Sequence, residues 1–216
     1  MTVTAVKPRK LPVQSRSRKR VETIQGVTAT LLLENGFESL TAVGIAEKAG
    51  IPVASLYQYY PNKEAIIYSL CETMIRTVTA RFDDYEKFDD HGMDIWELLA
   101  VIGEKEYANP SRHKLEFELN RAMTALPKLS ELQAGFDENL SKHYTNILRH
   151  YGSSWTEKEL VNLARIMFRI GNTYFAHINA TETDPVLVEQ SKVLVLRAIC
   201  SLVEASLSEP PYRLKQ

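Results

Sequence analysis

The densest chemistry in the sequence is a run of cations. Lys7, Arg9, Lys10, Arg16, Arg18, Lys19 and Arg20 follow one another with no acidic residue among them. Ammonium and guanidinium groups at that density neutralise phosphates, but a solvated tail has the same composition, and both readings are open for the run by itself. Pro8 and Pro12 oppose an early helix, so residues 1–20 read as a flexible basic arm. Other reactive side chains do not assemble. Cys71 and Cys200 form no C-x-x-C pair. His143 and His150 share a helix face but stand about 10 Å apart along its axis, too far to hold one metal. His91 lies among Asp83, Asp84, Glu86, Asp89 and Asp90, without the spacing or central glycine of a calcium loop, and reads as solvated loop. No Ser/His/Asp set, glycine-rich phosphate loop or H-E-x-x-H motif is present. The residues therefore point to no enzyme, no metal and no cofactor.

Composition narrows the class. With 216 residues, 44% hydrophobic and 25% charged, the chain is an ordinary globular protein of one large domain or two small ones. No run approaches 18 apolar residues, and the basic N-terminus continues into prolines and arginines instead of an apolar h-region. A cytoplasmic protein with no membrane partner is expected. The formal charge of −1 conceals an asymmetry: residues 1–68 hold nine basic and five acidic side chains, a balance of +4, which leaves −5 for the remainder. A basic end joined to an acidic body suggests that one end faces nucleic acid.

The elements that would position such an end are helical. Val21, Ile24, Val27 and Leu31 draw one stripe, and Asn35-Gly36 ends that helix with Phe37 placed to reach Leu32 in a Schellman cap. Thr41 is a candidate N-cap for a short helix from Ala42 to Ala49, closed by Gly50. Ile51-Pro52 begins a third helix, Pro61 stops it, and Asn62 caps a fourth with the stripe Ile67, Leu70, Met74, Val78 and Phe82. Further along, Asp94 with Glu97 and Thr156 with Glu159 have capping-box spacing. No alternating strand pattern appears, so an all-α chain of about nine helices is expected.

The two short helices between Ala42 and Tyr60 have the dimensions of a helix-turn-helix, whose second helix enters the major groove. Ile45, Ala46, Ala49, Ile51 and Leu56 are spaced to form the core between them, which leaves Val53, Ala54, Ser55, Tyr57 and Gln58 outward. The residues at Gly36-Phe37, Thr41, Ile45-Ala46, Ala49-Gly50, Leu56-Tyr57, Tyr59 and Asn62-Lys63-Glu64 closely resemble the DNA-binding domain of the tetracycline-repressor (TetR) family of bacterial regulators. The resemblance covers about 50 residues. It implies that Tyr57 and Lys63 contact phosphates, that Thr41 caps the second helix near the backbone, and that Pro52, Val53, Ser55 and Gln58 face base edges. Gln58 is placed where a phosphate is the alternative. Val43, Gly44 and Ala54 depart from the common pattern, which puts a base contact from the second helix in doubt. Arg16 and Arg18 of the arm could compensate on the phosphates or in the minor groove.

Beyond the motif, the last two helices are apolar on several sides, which requires burial all round. The resemblance implies a homodimer closed by a four-helix bundle of these helices, reading a palindromic double-stranded DNA operator. It also implies a small apolar or amphipathic effector. Trp96, Phe117, Met123, Phe136, Tyr144, Met167, Phe168, Tyr174 and His177 are the aromatic, Met and His residues available for its pocket. The expected organisation is an arm over 1–20, a three-helix DNA-binding domain over 21–68, an effector-binding and dimerisation domain over 69–208, and a tail over 209–216. A ligand-responsive repressor is the function expected; an interaction protein anchored on DNA, holding a protein partner and no small ligand, is the alternative.

Overall fold

A computed structural model describes residues 7–8, 15–107, 109–180 and 184–208. Arg9, Lys10 and the expected tail lie outside the described residues. Among those described there are ten α-helices, one 3-10 turn and no strand. The order is α1 (Ser15–Asn35), α2 (Ala42–Lys48), α3 (Val53–Tyr59), α4 (Lys63–Tyr85), α5 (Phe88–His91), α6 (Ile95–Tyr107), α7 (Pro110–Ala125), the 3-10 turn (Pro127–Leu129), α8 (Ser130–His150), α9 (Glu157–Ala180) and α10 (Pro185–Ser208). The count exceeds nine because the acidic stretch around His91 contains one helical turn, α5. Gly92 closes it in the left-handed region at φ 57°.

Two differences concern the N-terminal region. Residues 15–20 of the expected arm are helical, since Pro12 is the last proline before α1 and only the residues at and just before a proline are barred from helix. The buried stripe of α1 is Ile24, Thr28 and Leu32, with Val27 and Leu31 half-buried. A threonine can occupy the core here because its Oγ1 donates to the Ile24 carbonyl at 2.8 Å.

The chain forms two compact units. The first runs to Thr77 and takes in Lys114–Ala134; the second comprises Val78–His113 and the chain from Gly135 onward. No break falls at position 68, because α4 is continuous through it. Within the first unit, Cys71 of α4 meets the Leu119 carbonyl of α7 at 3.9 Å. Arg121 of α7 lies over the Phe37 ring at 5.8 Å while holding both oxygens of buried Glu118 at 3.1 Å. Burial pushes the Cys71 thiol up to about 12, so it stays protonated and packs as a small hydrophobe.

In the second unit the Asp94 capping box forms, Asp94 N–H donating to Glu97 and Glu97 N–H to Asp94, each at 2.9 Å. At the other, the Glu159 carboxylate accepts both the Thr156 N–H at 2.8 Å and the Thr156 hydroxyl at 2.6 Å. On α9, Leu160, Leu163, Met167 and Tyr174 are buried. Gly103 of α6 packs against α10, where an added Cβ would come within 3.1 Å of the Leu196 side chain. On α10, by contrast, Val186, Leu187, Val193 and Leu194 are exposed, and Leu194 keeps 65% of its surface.

Candidate nucleic-acid interface

The interface is built by three local devices. Thr41 adopts an extended conformation and its Oγ1 accepts the Gly44 N–H at 3.0 Å, satisfying one of the open donors at the start of α2. A Cβ at position 44 would lie 3.1 Å from that hydroxyl. At the other end of α2, Gly50 takes φ 63°. The Ile51 N–H reaches back to the Ala46 carbonyl and the Gly50 N–H to that of Glu47, both at 3.0 Å. This is the Schellman arrangement. The end of α1, expected to carry it, is closed instead by the simpler bond from Gly36 N–H to the Leu32 carbonyl at 2.9 Å. Pro52 then starts α3 as its N-cap, and Tyr60, extended before Pro61, ends it.

These turns sink Ile45, Ala46, Ile51 and Leu56 into a shared core; Ala49, the C-cap of α2, is only half-buried. Helical spacing from Leu56 turns the opposite face of α3 outward. Pro52, Ala54, Tyr57 and Gln58 are exposed, whereas Val53 and Ser55 are half-buried. Thr41 is exposed, and its hydroxyl still has a hydrogen to donate after accepting the cap bond. Lys63 is engaged within the chain: its ammonium donates to the Leu40 carbonyl at 2.7 Å and more distantly to that of Glu38. It therefore braces the turn before α2 as well as bringing a positive charge beside it. Asn62 caps α4 through Ala65 N–H at 2.9 Å. Arg16 and Arg18 are exposed in the first two turns of α1, together with Lys19. Val43, noted in the sequence only as a departure, keeps 51% of its surface exposed on α2.

The base of α3 is fixed by a buried tyrosine. Tyr60 is 1% exposed, and burial raises its pKa while hydrogen bonds with Ser69 and Gln25 oppose the rise. Gln25 in turn donates to Ser69 at 2.8 Å, linking α1 to α4 across that phenol. The joint carried no motif in the sequence, since its members lie 44 positions apart.

The nine residues proposed for an effector pocket are divided between the units. Phe117 and Met123 belong to the first. In the second, Phe136, Met167 and Tyr174 are buried, Tyr144 and Phe168 are half-buried, and Trp96 and His177 lie at the surface of the chain. Phe136 and Phe168 pack edge to face at 5.8 Å, and Phe82 packs on Tyr144 at 5.1 Å. A groove on α10 is lined by Pro185, Val186, Glu189, Gln190, Val193 and Leu194, none of them among the nine. The second unit also holds polar groups, of which Arg81, Tyr85, Glu106 and His113 carried no motif in the sequence. Arg81 grips Glu106 with Nε at 2.8 Å and Nη2 at 3.0 Å, and the Tyr85 hydroxyl donates to the same carboxylate at 3.1 Å. Buried His113 stacks on Phe175 at 4.5 Å, and burial, with Arg112 beside it, lowers its pKa to about 4. His143 pairs with Glu86, and His150 stacks on Phe88 at 3.7 Å. Among the described residues no group of three His, Cys, Asp or Glu side chains could hold a metal ion, and no helix is long and apolar enough to cross a membrane.

Two short helices, locked by an N-cap and a Schellman turn and presenting one face of the second to solvent, make this a helix-turn-helix protein with an all-helical body. Residues 26–70 match the family of bacterial regulatory proteins, tetR family. The chain carries that family's DNA-binding domain over those residues, which take in α2, α3 and the flanking parts of α1 and α4. It is 25% identical over 147 residues to the nucleoid occlusion factor SlmA of Mannheimia succiniciproducens, a stretch that covers 65% of each chain. With the protein of the same name from Pasteurella multocida it shares 27% over 143 residues, 63% of this chain and 68% of that one. The match thus spans just under two thirds of the first relative's length. In fold it is similar to a TetR transcription regulator from Haloarcula marismortui, with a TM-score of 0.67 and 15% identity over 88% of this chain and all of the other.

Proposed function

We propose that this DNA-binding regulator of the tetR family acts as a cytoplasmic homodimeric repressor, released from a palindromic operator by a small apolar or amphipathic effector. The observation that carries the reading is the exposed face of α3, held on a core that needs none of those side chains for its own packing. In this reading α3 enters the major groove. Pro52, Val53, Ser55 and Gln58 meet base edges, and Tyr57, Thr41 and Lys63 meet phosphates, which fix register without reading sequence. Arg16 and Arg18 add phosphate contacts. The exposed apolar side chains of α10 supply the reason for a second protomer, since a patch of that kind on a lone chain marks an interface. A two-fold dimer would present two α3 helices about 34–36 Å apart to matching half-sites.

Effector release follows from linkage. A molecule that binds better to the disposition of heads that does not fit DNA must weaken DNA binding, and DNA must weaken its binding by the same factor. The 23-residue α4, continuous from the first unit into the second, is the element available to carry that coupling. Equal effector affinity for free and operator-bound protein would exclude the mechanism. The DNA reading is tested by selecting genomic fragments on the purified protein and footprinting the best across a salt series. A palindromic footprint with a steep salt slope is expected, and sequence-indifferent binding would overturn it. The second reading, a DNA-anchored interaction protein without a small ligand, is favoured by the name of the two SlmA relatives, which is nucleoid occlusion factor and not effector-released repressor. Thermal shifts across a metabolite panel separate the two, because a ligand at 100 times its Kd stabilises by about 2.7 kcal/mol.

A further inference from the structure

The recognition helix carries no cation. Its sequence is Val-Ala-Ser-Leu-Tyr-Gln-Tyr, and between Val21 and Tyr68 only Lys48 and Lys63 are basic. Both have partners within the chain and neither lies on α3: Lys48 Nζ meets Glu34 Oε2 at 2.6 Å in an exposed pair, and Lys63 donates to the Leu40 carbonyl. Guanine is read in the major groove chiefly by a bidentate Arg or Lys on its O6 and N7, whereas adenine is read by Asn or Gln on N6 and N7, and thymine offers its methyl group to an apolar side chain. The face that α3 turns outward holds Ala54, Tyr57 and Gln58. Ala54 and Gln58 are four residues apart and hence neighbours on one side of the helix. Exposed Val43 on α2 extends the same apolar character.

We propose that each head reads an A·T core, with Gln58 as the specificity-determining residue. Its carboxamide oxygen accepts from adenine N6 and its amide donates to adenine N7, while the Ala54 methyl packs on a thymine methyl. Guanine is not read by α3. This inference rests on the DNA-binding function proposed above and narrows the class of operator it takes.

The test is selection of duplexes from a random library by the intact protein, repeated with Gln58→Ala. Gln58 is exposed, so the variant keeps the fold. A palindromic consensus is expected whose half-sites contain an A·T position that becomes degenerate in the variant, with discrimination there falling roughly 5- to 150-fold, the range for one bidentate contact. Replacing thymine by uracil in the selected half-site, which removes only the methyl, is expected to weaken binding about fourfold at a position that packs on Ala54. The inference is overturned if the wild-type half-site is G·C at the positions that respond to α3 substitution. It is equally overturned if Gln58→Ala lowers affinity uniformly and leaves the consensus unchanged, the signature of a phosphate contact. In both of those outcomes a palindrome is still enriched and the DNA-binding function stands. Failure to enrich any sequence would remove both.

Discussion

Neutralising the first two turns of α1 should cost the protein much of its salt-dependent hold on DNA. From Val21 to Thr77 the first unit carries three cations, Lys48, Lys63 and Arg76, against six acids, Glu22, Glu34, Glu38, Glu47, Glu64 and Glu72, a balance of −3. Its other segment, Lys114–Ala134, is neutral, with Lys114, Arg121 and Lys128 opposite Glu116, Glu118 and Glu131. The helix-turn-helix therefore approaches a polyanion with a surplus of negative charge, and Arg16, Arg18, Lys19 and Arg20 are what reverses the sign. Those four also stand at the wrong end of a helix. The first turn of α1 contains no acid, and the macrodipole places about half a positive charge at that terminus. Phosphates beside it would relieve the conflict. Each phosphate neutralised contributes about 0.9 to the slope of log K against log salt. If all four cations lie on phosphates, changing them together to glutamine should lower the slope by about 3.6 per protomer, with a smaller fall if only Arg16 and Arg18 make contact. The assay is fluorescence anisotropy on a footprinted fragment from 50 to 200 mM salt, with circular dichroism to confirm the fold. An unchanged slope would refute the reasoning and return the run to a solvated tail.

Four further outcomes are expected. Thr41→Ala should lower stability by about 1 kcal/mol in urea unfolding, and Thr41→Ser should restore most of it, since the bond to Gly44 N–H needs only the hydroxyl. Gly50→Val should destabilise by at least 1–2 kcal/mol, because a β-branched residue at φ 63° meets the left-handed penalty; native-like stability in that variant would mean that the turn is not as described. His113 has a folded pKa depressed from 6.5 to about 4 by burial, so the unfolded chain binds the proton first as pH falls. Its contribution to stability is complete above pH 6.5 and lost progressively down to pH 4, up to about 3 kcal/mol. His113→Gln should flatten the pH dependence of unfolding across that window by this amount. Leu194→Glu, on the exposed face of α10, should shift sedimentation from dimer to monomer without loss of helix content.

What could be read ahead of the structure was whatever depends on neighbours in the chain. The Thr41 and Asn62 caps, the Asp94 capping box, the Thr156–Glu159 contact and the Gly50 turn are decided by residues three to five apart, and each forms at its expected residues. The start of α1 is local too: Pro8 and Pro12 bar helix only at and just before themselves, so α1 begins at Ser15, ahead of its first apolar residue. Thr28 escaped notice because hydropathy takes no account of a hydroxyl bonded to its own helix. Long-range pairings left no trace. Gln25 with Ser69 and Arg81 with Glu106 are polar residues on helical faces until folding brings them together.

The same division governs how far function can be read. Recognition of a duplex by one short helix depends on which of seven consecutive side chains point outward, and local rules place those. An effector site depends on how apolar side chains from several helices fall relative to one another, and a list of aromatic residues does not contain that. The nine candidates accordingly scatter among buried core, half-buried positions and surface, and Phe117 and Met123 fall in the unit that carries the helix-turn-helix. Physical coupling nevertheless needs no single shared pocket. Val78, Phe82 and Tyr85 lie on the same α4 whose first turn is capped by Asn62 and braced through Lys63. Any ligand that shifts the packing of Phe82 or Tyr85 acts on the helix that holds Lys63 against the turn before α2. Severing that brace with Lys63→Ala should therefore weaken operator binding by more than the removal of one phosphate contact, and the excess should persist at high salt, where a purely electrostatic loss is screened.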